Sequence, residues 1–323
     1  MTAAATGVLA PAGAPAAGIA EIGWVLVVGA ALIFVAVMAL LTWTVQRRRR
    51  RADAADAAPG DPAAARATRL WIVGGGLVFP AVATAALFVY VLLRDGGLAP
   101  AGDPAELVVS VTGRAWWWQL RYVDPASGRE VAAANEIHVP AGRTVVFGLN
   151  SGDVIHSFWV PELAGKADMI PGRVQQLRVR ADRPGVHRGQ CAEFCGGQHA
   201  QMALHVVVDA PADFDRWLAA QSAPATPPGD ALAARGLAVF TGQRCFECHA
   251  VRGMFEGADA GPDLTHVGSR RFIGAGILPA NAANFAAWVS GVQHLKPGAR
   301  MPQYDRLDAD SLAALGTFLA QLR

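Results

Sequence analysis

All four cysteines of the 323-residue chain lie in two short stretches, and both stretches combine thiols with other metal-binding side chains. Residues 191–202 (CAEFCGGQHAQM) hold two thiols, one imidazole and one thioether within twelve residues. Residues 245–249 (CFECH) hold two thiols three positions apart, with a histidine directly after the second. Close pairs of this kind indicate metal or cofactor chemistry rather than the spaced cysteines of a disulfide framework.

The first stretch has the ligand types that copper prefers. Thiolate, imidazole and thioether are soft to borderline ligands, whereas methionine is a poor ligand for zinc. One further ligand should come from elsewhere, and His156, at the head of the aromatic run HSFW, is the best candidate. Two thiolates carry more negative charge than one cuprous ion in an apolar site can balance, which favours two coppers sharing both sulfurs. A Cys191–Cys195 disulfide and a surface position for His156 are the alternatives.

The second stretch is the attachment signature of a c-type haem. Cys245 and Cys248 are spaced to reach both vinyl groups, and His249 is placed to bind the iron. Met301, in the segment KPGARMP, is a suitable sixth ligand, and a His/Met pair gives the raised potential of an electron carrier. The alternatives are a chance match, a zinc half-site, and the rival axial ligands Met254, His266 and His294, of which Met254 is too close to His249 to cross the haem plane.

Two long apolar runs precede both stretches. Residues 22–45 and 70–93 each contain 24 residues without a charge. A helix of that length measures about 36 Å, enough to cross a hydrocarbon core of about 30 Å. Arg47–Arg51 open a polar loop that runs to about residue 69, and the positive-inside rule places this loop in the cytoplasm. The chain after Arg94 is then extracytoplasmic, and a buried helix of a soluble protein is the alternative for each run.

The composition agrees with a membrane-anchored chain. Hydrophobic residues make up 53% of it, and charged residues 17%, against about 25% in an ordinary soluble domain. The net charge of +2 gives no reason to expect a nucleic-acid partner. The N-terminal stretch lacks the basic start of a signal peptide, so cleavage there is weakly supported.

The remainder of the chain divides into a β-rich part and a helical part. Short β-rich runs between Pro/Gly turns predict an all-β sandwich or barrel, with residues 191–202 in a loop before its last strand. The segment SAPATPPG at 222–229 has linker composition. The predicted strands are 107–112, 144–149, 176–180 and 203–208, and the predicted helices are 210–220, 231–240, 284–292 and 308–322, the last with Asp308 as its N-cap.

The first stretch, together with HSFWVP (156–161) and DMIPGR (168–173), closely resembles subunit II of haem–copper cytochrome c oxidases. The resemblance runs from the apolar runs to about residue 218, and it implies a cupredoxin fold with a binuclear CuA centre. It also implies two bridging thiolates, two terminal histidines, a weak axial methionine and a backbone carbonyl as ligands. These positions are Cys191 and Cys195, His156 and His199, Met202, and Glu193.

The same resemblance implies roles beyond the copper ligands. The carboxylate of Glu193 would reach a magnesium ion at the contact with subunit I, and Trp116 would admit the electron. Packing in the core or an interface is the alternative for the next two tryptophans. Ala115 departs from the family, which usually has glutamine there, and ATRLW (67–71) lacks the acid that many members carry at a proton channel, so no proton role is transferred.

Residues from about 229 to 323 resemble a class I cytochrome c. The segment GPDLTHVG (261–268) matches its proline-bearing loop, which implies that the carbonyl of Pro262 faces the ring of His249. The helical pattern at 311–322 matches the closing helix of that family. One covalently attached haem c is therefore expected in this part of the chain.

Together, the resemblances imply an electron-transfer subunit of an oxidoreductase, a cytochrome c oxidase of the caa type. It would be anchored in the bacterial inner membrane, with the copper and haem domains on the periplasmic side and lipid, subunit I and other oxidase subunits as partners. Electrons from cytochrome c or another periplasmic donor would pass through haem c and CuA to subunit I, which reduces oxygen. This chain would not reduce oxygen itself, since neither apolar run carries a histidine. The predicted parts are an N-terminal segment 1–21, a two-helix transmembrane hairpin 22–95, an all-β cupredoxin domain 96–220, a linker 221–229 and an all-α cytochrome c domain 230–323.

Two other functions compete with this interpretation. A haem–copper nitric oxide reductase can use a similar copper subunit, with nitric oxide as the terminal acceptor. A membrane-anchored copper chaperone can also carry two close cysteines and a distant histidine, but it needs neither His199 and Met202 nor a haem domain. A quinol oxidase subunit keeps the fold without the copper ligands, so Cys191 and Cys195 argue against it.

Overall fold

The computed structural model describes residues 7–52, 62–95, 107–123, 128 and 130–323. The chain forms two compact units, one of residues 17–99 and one of the residues before and after them. The predicted boundary near residue 96 lies outside the described residues. The predicted separation of the β-rich part from the helical part at 221–229 stays a prediction, because both parts belong to one compact unit.

The unit of residues 17–99 holds two long helices. The first is α1 (Ala14–Ala52), and the second is a continuous run of α2 (Pro62–Leu70), a π-helical stretch (Trp71–Val78) and α3 (Phe79–Asp95). Both are long and apolar enough to cross a membrane. The expected polar loop is shorter than predicted, because residues 62–69 are already helical.

The π-helical stretch has a local cause in the sequence. Pro80 has no backbone N–H, so it cannot bond to the carbonyl four residues back, and its ring crowds that carbonyl. The helix widens instead, and the Phe79 N–H bonds to the carbonyl of Gly74. Across the hairpin, Glu21 accepts hydrogen bonds from Tyr90 and Arg94, which ties the start of the first apolar run to the end of the second. The predicted two-helix hairpin is therefore confirmed.

The β-rich part, which we call the β-domain, is a sandwich of two five-stranded sheets. Their strand orders are β3-β2-β1-β5-β8 and β4-β10-β9-β6-β7, and most neighbours are antiparallel, whereas the pairs β1–β5 and β4–β10 are parallel. Of the predicted sandwich or barrel, the described residues form a sandwich, and six of their strands were not named from the sequence. The strands are β1 (Leu107–Arg114), β2 (Trp117–Val123), β3 (Glu130–Ala134), β4 (Glu136–Pro140), β5 (Thr144–Ser151), β6 (His156–Trp159), β7 (Ala167–Met169), β8 (Gln175–Arg180), β9 (Gly185–Cys191) and β10 (Ala203–Asp209).

The core of the sandwich fixes the direction of the strands that carry ligands. Phe158 is buried between the sheets, with its ring 5.2 Å from that of Phe147 and 5.8 Å from that of Trp118. Burying each such ring stabilises the fold by roughly 1.5–3 kcal/mol. Side chains two apart on a strand share a face, so the burial of Phe158 also turns His156 inward.

The helical part, which we call the helical domain, follows α4 (Pro211–Ser222), a helix that packs on the sandwich through Phe214 and Leu218. Its helices begin at side-chain caps, and the carboxylate of Asp308 accepts the N–H of Ser311 as predicted for an N-cap. A small hairpin precedes the second helix. The elements are α5 (Ala231–Gly242), β11 (Phe272–Ile273), β12 (Leu278–Pro279), α6 (Ala282–Leu295) and α7 (Ala309–Gln321).

Candidate metal centre and haem cavity

The candidate copper ligands come from two neighbouring strands and one loop. Cys191 is the last residue of β9, not part of a loop as predicted, and residues 192–202, which we call the ligand loop, connect β9 to β10. His156 begins β6, which pairs with β9 so that Phe158 lies opposite Cys191. A sheet therefore fixes the first cysteine and the distant histidine side by side, and the ligand loop folds back over them.

The two thiols and two imidazoles form a compact cluster. The sulfurs of Cys191 and Cys195 are 3.8 Å apart, against about 2.05 Å in a disulfide, and both cysteines are free. Nδ1 of His156 lies 3.8 Å from the sulfur of Cys191, and Nδ1 of His199 lies 3.6 Å from that of Cys195. The disulfide alternative is therefore wrong in this structure, as is a surface position for His156, which is fully buried.

Two weaker donors complete the cluster, one at each sulfur. Sδ of Met202 lies 3.9 Å from the sulfur of Cys195, and the backbone oxygen of Glu193 lies 3.2 Å from that of Cys191. Glu193 is an exposed residue, and the structure places its backbone oxygen at the sulfur of Cys191. All six residues named from the sequence thus meet in one place.

The electrostatics of the cluster call for cations. The hydrogen bond from Cys195 lowers the pKa of Cys191 to about 3, with a further contribution from His156. The neighbouring Cys191 sulfur, together with burial, strongly raises the pKa of Cys195. The first thiolate thus forms readily, whereas the second requires positive charge nearby. Two buried sulfurs of this kind, with two imidazoles and a thioether, fit a pair of copper ions.

The ring of His156 is held by a residue that sequence analysis missed. Nε2 of His156 bonds to a carboxylate oxygen of Asp153 at 2.8 Å, and the other carboxylate oxygen accepts the N–H of Ala115. Burial lowers the pKa of His156, but its bonds to Cys191 and Asp153 outweigh burial and raise it. With Nε2 engaged, Nδ1 is the nitrogen available to a metal. The sequence signal that could have identified Asp153 is its position, since it is a carboxylate three residues before a candidate ligand.

A glycine in β1 makes room for the same ring. A Cβ atom added at Gly113 would lie 2.7 Å from the ring of His156, a distance that real Cβ atoms do not adopt. Only glycine therefore allows the strand to pass directly beneath the imidazole.

The second cysteine pair lies on the wall of a large cavity. Cys245 begins a single helical turn, and Cys248 and His249 follow it. These three residues and Met301 all line a cavity of about 390 Å³, which we call the haem cavity. The rivals Met254, His266 and His294 do not line it. The four residues predicted for haem thus share one cavity.

The ring of His249 has the orientation that the sequence predicted. Its Nδ1 donates to the carbonyl of Pro262 at 2.7 Å, which leaves Nε2 free. Burial lowers the pKa of His249, so the ring is neutral and able to bind iron. A Cβ atom at Gly261 would lie 2.6 Å from this ring, so the proline-bearing loop needs glycine to approach it.

The loop that carries Met301 is fixed from the neighbouring helix. The side-chain amide of Gln293 in α6 donates to the carbonyls of Ala299 and Met301, both at 2.8 Å. The methionine is therefore held on the cavity wall by backbone contacts rather than by packing alone. The cavity, two thiols, a neutral imidazole and a thioether fit a covalently attached haem.

Trp116 contacts both sites. Its indole N–H donates to the backbone carbonyl of Cys195 at 2.8 Å, and its ring lines the haem cavity. Trp117 also lines this cavity. Trp118 is fully buried in the sandwich core, which agrees with the alternative that it serves in packing. Trp116 therefore lies between the two candidate redox sites.

Comparison with known sequences finds two families in this chain. The profile described as "Cytochrome C oxidase subunit II, periplasmic domain" matches residues 107–210, and the profile described as "Cytochrome c" matches residues 233–323. The first match contains the whole sulfur and histidine cluster, which implies CuA copper. The second contains Cys245, Cys248, His249 and Met301, which implies haem.

Two bacterial relatives carry the name "Cytochrome c oxidase subunit 2". The protein of Alkalihalophilus pseudofirmus is 37% identical over 232 residues, which cover 72% of this chain and 66% of that protein. The protein of Bacillus subtilis is 30% identical over 259 residues, which cover 76% of this chain and 70% of that protein. The chain thus spans about two thirds of the length of each relative.

Among solved structures, the periplasmic domain of subunit II of cytochrome oxidase from Bradyrhizobium japonicum is similar to 38% of this chain. The match covers 96% of that domain, with 28% identity and a TM-score of 0.35. A chain of a heme-copper terminal oxidase dimer matches 42% of this chain and 98% of its own length, with 23% identity and a TM-score of 0.33.

Proposed function

This chain belongs to the cytochrome c oxidase subunit II family, in the form with a fused cytochrome c domain, and we propose that it carries electrons from a periplasmic donor through its own haem c and CuA copper to the oxygen-reducing subunit. It is an electron-transfer subunit of an oxidoreductase complex. Haem and copper, held by the residues named below, would supply one-electron transfer, in which no bond forms or breaks.

The two groups are held by ten residues in this proposal. Copper and haem iron, when bound, each accept and release one electron at a time. The protein contributes a fixed ligand set, because small ligand movements on oxidation and reduction speed such a step. The copper residues are His156, Cys191, Glu193, Cys195, His199 and Met202, and the haem residues are Cys245, Cys248, His249 and Met301.

One observation carries the proposed order of transfer. Trp116 lines the haem cavity and donates its indole N–H to the backbone of Cys195, so one side chain contacts both sites. The helical domain also contacts this face of the β-domain, where the side chain of Gln198 donates to the carbonyl of Pro297. These contacts support haem c as the first acceptor and the copper pair as the second.

The two apolar helices anchor the chain in a membrane, and the copper-bearing domain is extracytoplasmic in this family. We infer that the membrane is the bacterial inner membrane, that the donor is cytochrome c or another periplasmic carrier, and that lipid surrounds the hairpin. The exposed carboxylate of Glu193 is free to reach a magnesium ion at the contact with subunit I. The names of the relatives favour oxygen over nitric oxide as the terminal acceptor, and the haem cavity argues against a copper chaperone.

The order can be tested by rapid mixing of the purified oxidase complex with reduced cytochrome c or a small dye under anaerobic conditions. We expect the absorption of haem c to change first and that of the copper pair to follow. Reduction of copper at its full rate before the haem would overturn the proposal.

A further inference from the structure

The chain contains only two lysines, and they lie in opposite surroundings. Lys166 is exposed on the β-domain, whereas Lys296, which directly follows α6 in the helical domain, is 4% exposed. Lysine is rarely buried to this extent, because removing an ammonium group from water costs several kcal/mol unless it is paired or hydrogen-bonded. The partners of Lys296 therefore determine what it does.

The ammonium of Lys296 has a hydrogen-bond acceptor for each of its three protons. Its Nζ donates to the carbonyls of Trp116 and Gln201 at 2.8 Å and to that of Gly274 at 2.9 Å. Trp116 precedes β2, Gln201 belongs to the ligand loop, and Gly274 lies in the hairpin of the helical domain. Two acceptors thus come from the β-domain and one from the helical domain that carries the lysine.

These acceptors suit lysine and not arginine. An ammonium is a compact point charge with three donors that radiate from one atom, and it can meet three carbonyls arranged around it. A guanidinium is a flat fork whose donors lie in one plane. In a chain where nearly all the basic residues are arginine, this position has the side chain whose donor geometry fits.

Other hydrogen bonds near Lys296 also join the β-domain to the helical domain. The side chain of Gln198 in the ligand loop donates to the carbonyl of Pro297 at 2.9 Å, and the N–H of Ala203 donates to the carbonyl of Ala275 at 3.1 Å. The first bond joins the ligand loop to the residues after α6, and the second joins the start of β10 to the hairpin of the helical domain. Among the residues of this group, Lys296 carries the charge, and it is 4% exposed.

Trp116 is consequently fixed from both domains. Its carbonyl accepts from Lys296, and its indole N–H donates to Cys195. If the helical domain moved away, the ammonium would lose the acceptors at Trp116 and Gln201. We call the arrangement in this structure, with the helical domain against the ligand loop, the closed arrangement. In it, the ammonium of Lys296 has three carbonyl acceptors from the protein.

We propose that Lys296 is a positioning residue that holds the helical domain against the ligand loop, with Trp116 between the haem cavity and the copper cluster. The proposal rests on the proposed function, since it concerns the transfer of one electron from haem to copper. Electron transfer within this chain would then occur in the closed arrangement, without prior diffusion of the helical domain to its docking surface on the ligand loop.

The first test measures electron transfer from haem c to copper in the intact complex after rapid reduction of the haem. Lys296→Met keeps the side-chain length and removes the charge, and Lys166→Met is the matched control for the loss of a lysine. We expect Lys296→Met to slow the transfer by about tenfold or more, because hydrogen bonds to a charged group are among the stronger ones.

The dependence on solvent viscosity separates positioning from a merely structural role. Added sucrose should leave the transfer rate unchanged in the parent complex and in Lys166→Met, and should slow it in Lys296→Met, where the domain must diffuse to its docking surface. The absorption spectra of haem and copper should be the same in all three. A Lys296→Met complex with parental rate and no dependence on viscosity would overturn the proposal.

The second test needs no variant, so it tests the closed arrangement even if Lys296→Met does not fold. The native complex is treated with an amine-acylating reagent, and the modification of each lysine is followed by mass spectrometry. We expect Lys166 to react rapidly and Lys296 only after denaturation. Equal reactivity would refute the closed arrangement, whereas protection of Lys296 combined with copper reduced before haem would refute the proposed function and leave the closed arrangement standing.

Discussion

The two cysteine pairs have similar spacing but opposite surroundings. Cys191 and Cys195 are 4% and 6% exposed and lie among other ligands that are within 4 Å of a sulfur. Cys248 is exposed and Cys245 half-buried, on the wall of a cavity of about 390 Å³. A metal ion is small, so the protein itself must bring all its ligands close together. A haem is a large planar group, so the protein must instead provide a cavity with ligands on its wall. The same side chain thus serves two purposes, and burial decides which.

The largest effect should follow from removing a sulfur of the buried pair. Cys195→Ser leaves only one soft bridging ligand, so we expect the loss of essentially all copper and an unchanged haem spectrum. Copper content by elemental analysis and haem absorbance measure the two sites separately. Cys245→Ser is the matched variant in the cavity, and it should reduce covalent haem while copper stays. Loss of both groups in either variant would show that the two sites do not assemble independently.

The next effect concerns the open side of the cavity. Met301→Ala removes the sixth ligand of the iron, so we expect the weak absorption of methionine-to-iron ligation to disappear and the reduction potential of the haem to fall. Covalent haem and copper content should not change. Met254→Ala, which alters a methionine that does not line the cavity, is the control. An absorption that survives in Met301→Ala would assign the sixth ligand to another residue.

A smaller effect is expected from the residue that orients a copper ligand. Asp153→Asn weakens the bond to Nε2 of His156, and such changes typically lower metal affinity by about 10–100-fold. Copper retained after dialysis against a graded series of chelator concentrations provides the measurement. Asp182→Asn, at an exposed ion pair with Arg180, is the control. If Asp153→Asn keeps copper as firmly as Asp182→Asn, the carboxylate does not support the buried site.

The smallest effect concerns the residue that joins the two sites. Trp116→Phe keeps an aromatic ring and removes the hydrogen bond to Cys195, a bond worth about 1 kcal/mol, so we expect a transfer rate between haem and copper lowered by about fivefold. Both groups should bind fully. Flash reduction of haem c followed by the decay of its signal measures the rate, with Trp217→Phe as the control. An unchanged rate would mean that the sites communicate by another route.

The sequence predicts the ligands better than the strands that hold them. Ligand types, spacing and motif order are local, and each of the ten predicted ligands lies in the expected cluster or cavity. Strand β9 was not predicted because its sequence, GVHRGQC, reads as polar, although His187, Gly189 and Cys191 alternate inward. Tertiary neighbours decide such a strand, and they are invisible to a local pattern.

Residues that act through tertiary contacts could not be found from the sequence. Lys296 meets Trp116 across 180 positions, and no sequence pattern at Lys296 indicates that hydrogen bond. Asp153 is closer to its partner, yet its role depends on the turn that brings the carboxylate to His156. The apolar helices and Asp308 were predictable for the opposite reason, because length, composition and capping are properties of neighbouring residues.

Gly113 shows how a remote strand position inherits the constraints of a metal site. Alanine is an ordinary strand residue, and the hydrogen bonds of β1 with β2 and β5 would tolerate it. The methyl group would nevertheless displace the imidazole of His156, so we expect the substitution to lower the copper content of the protein. A candidate metal ligand in one sheet thus restricts the residue that can stand at a position of the other sheet.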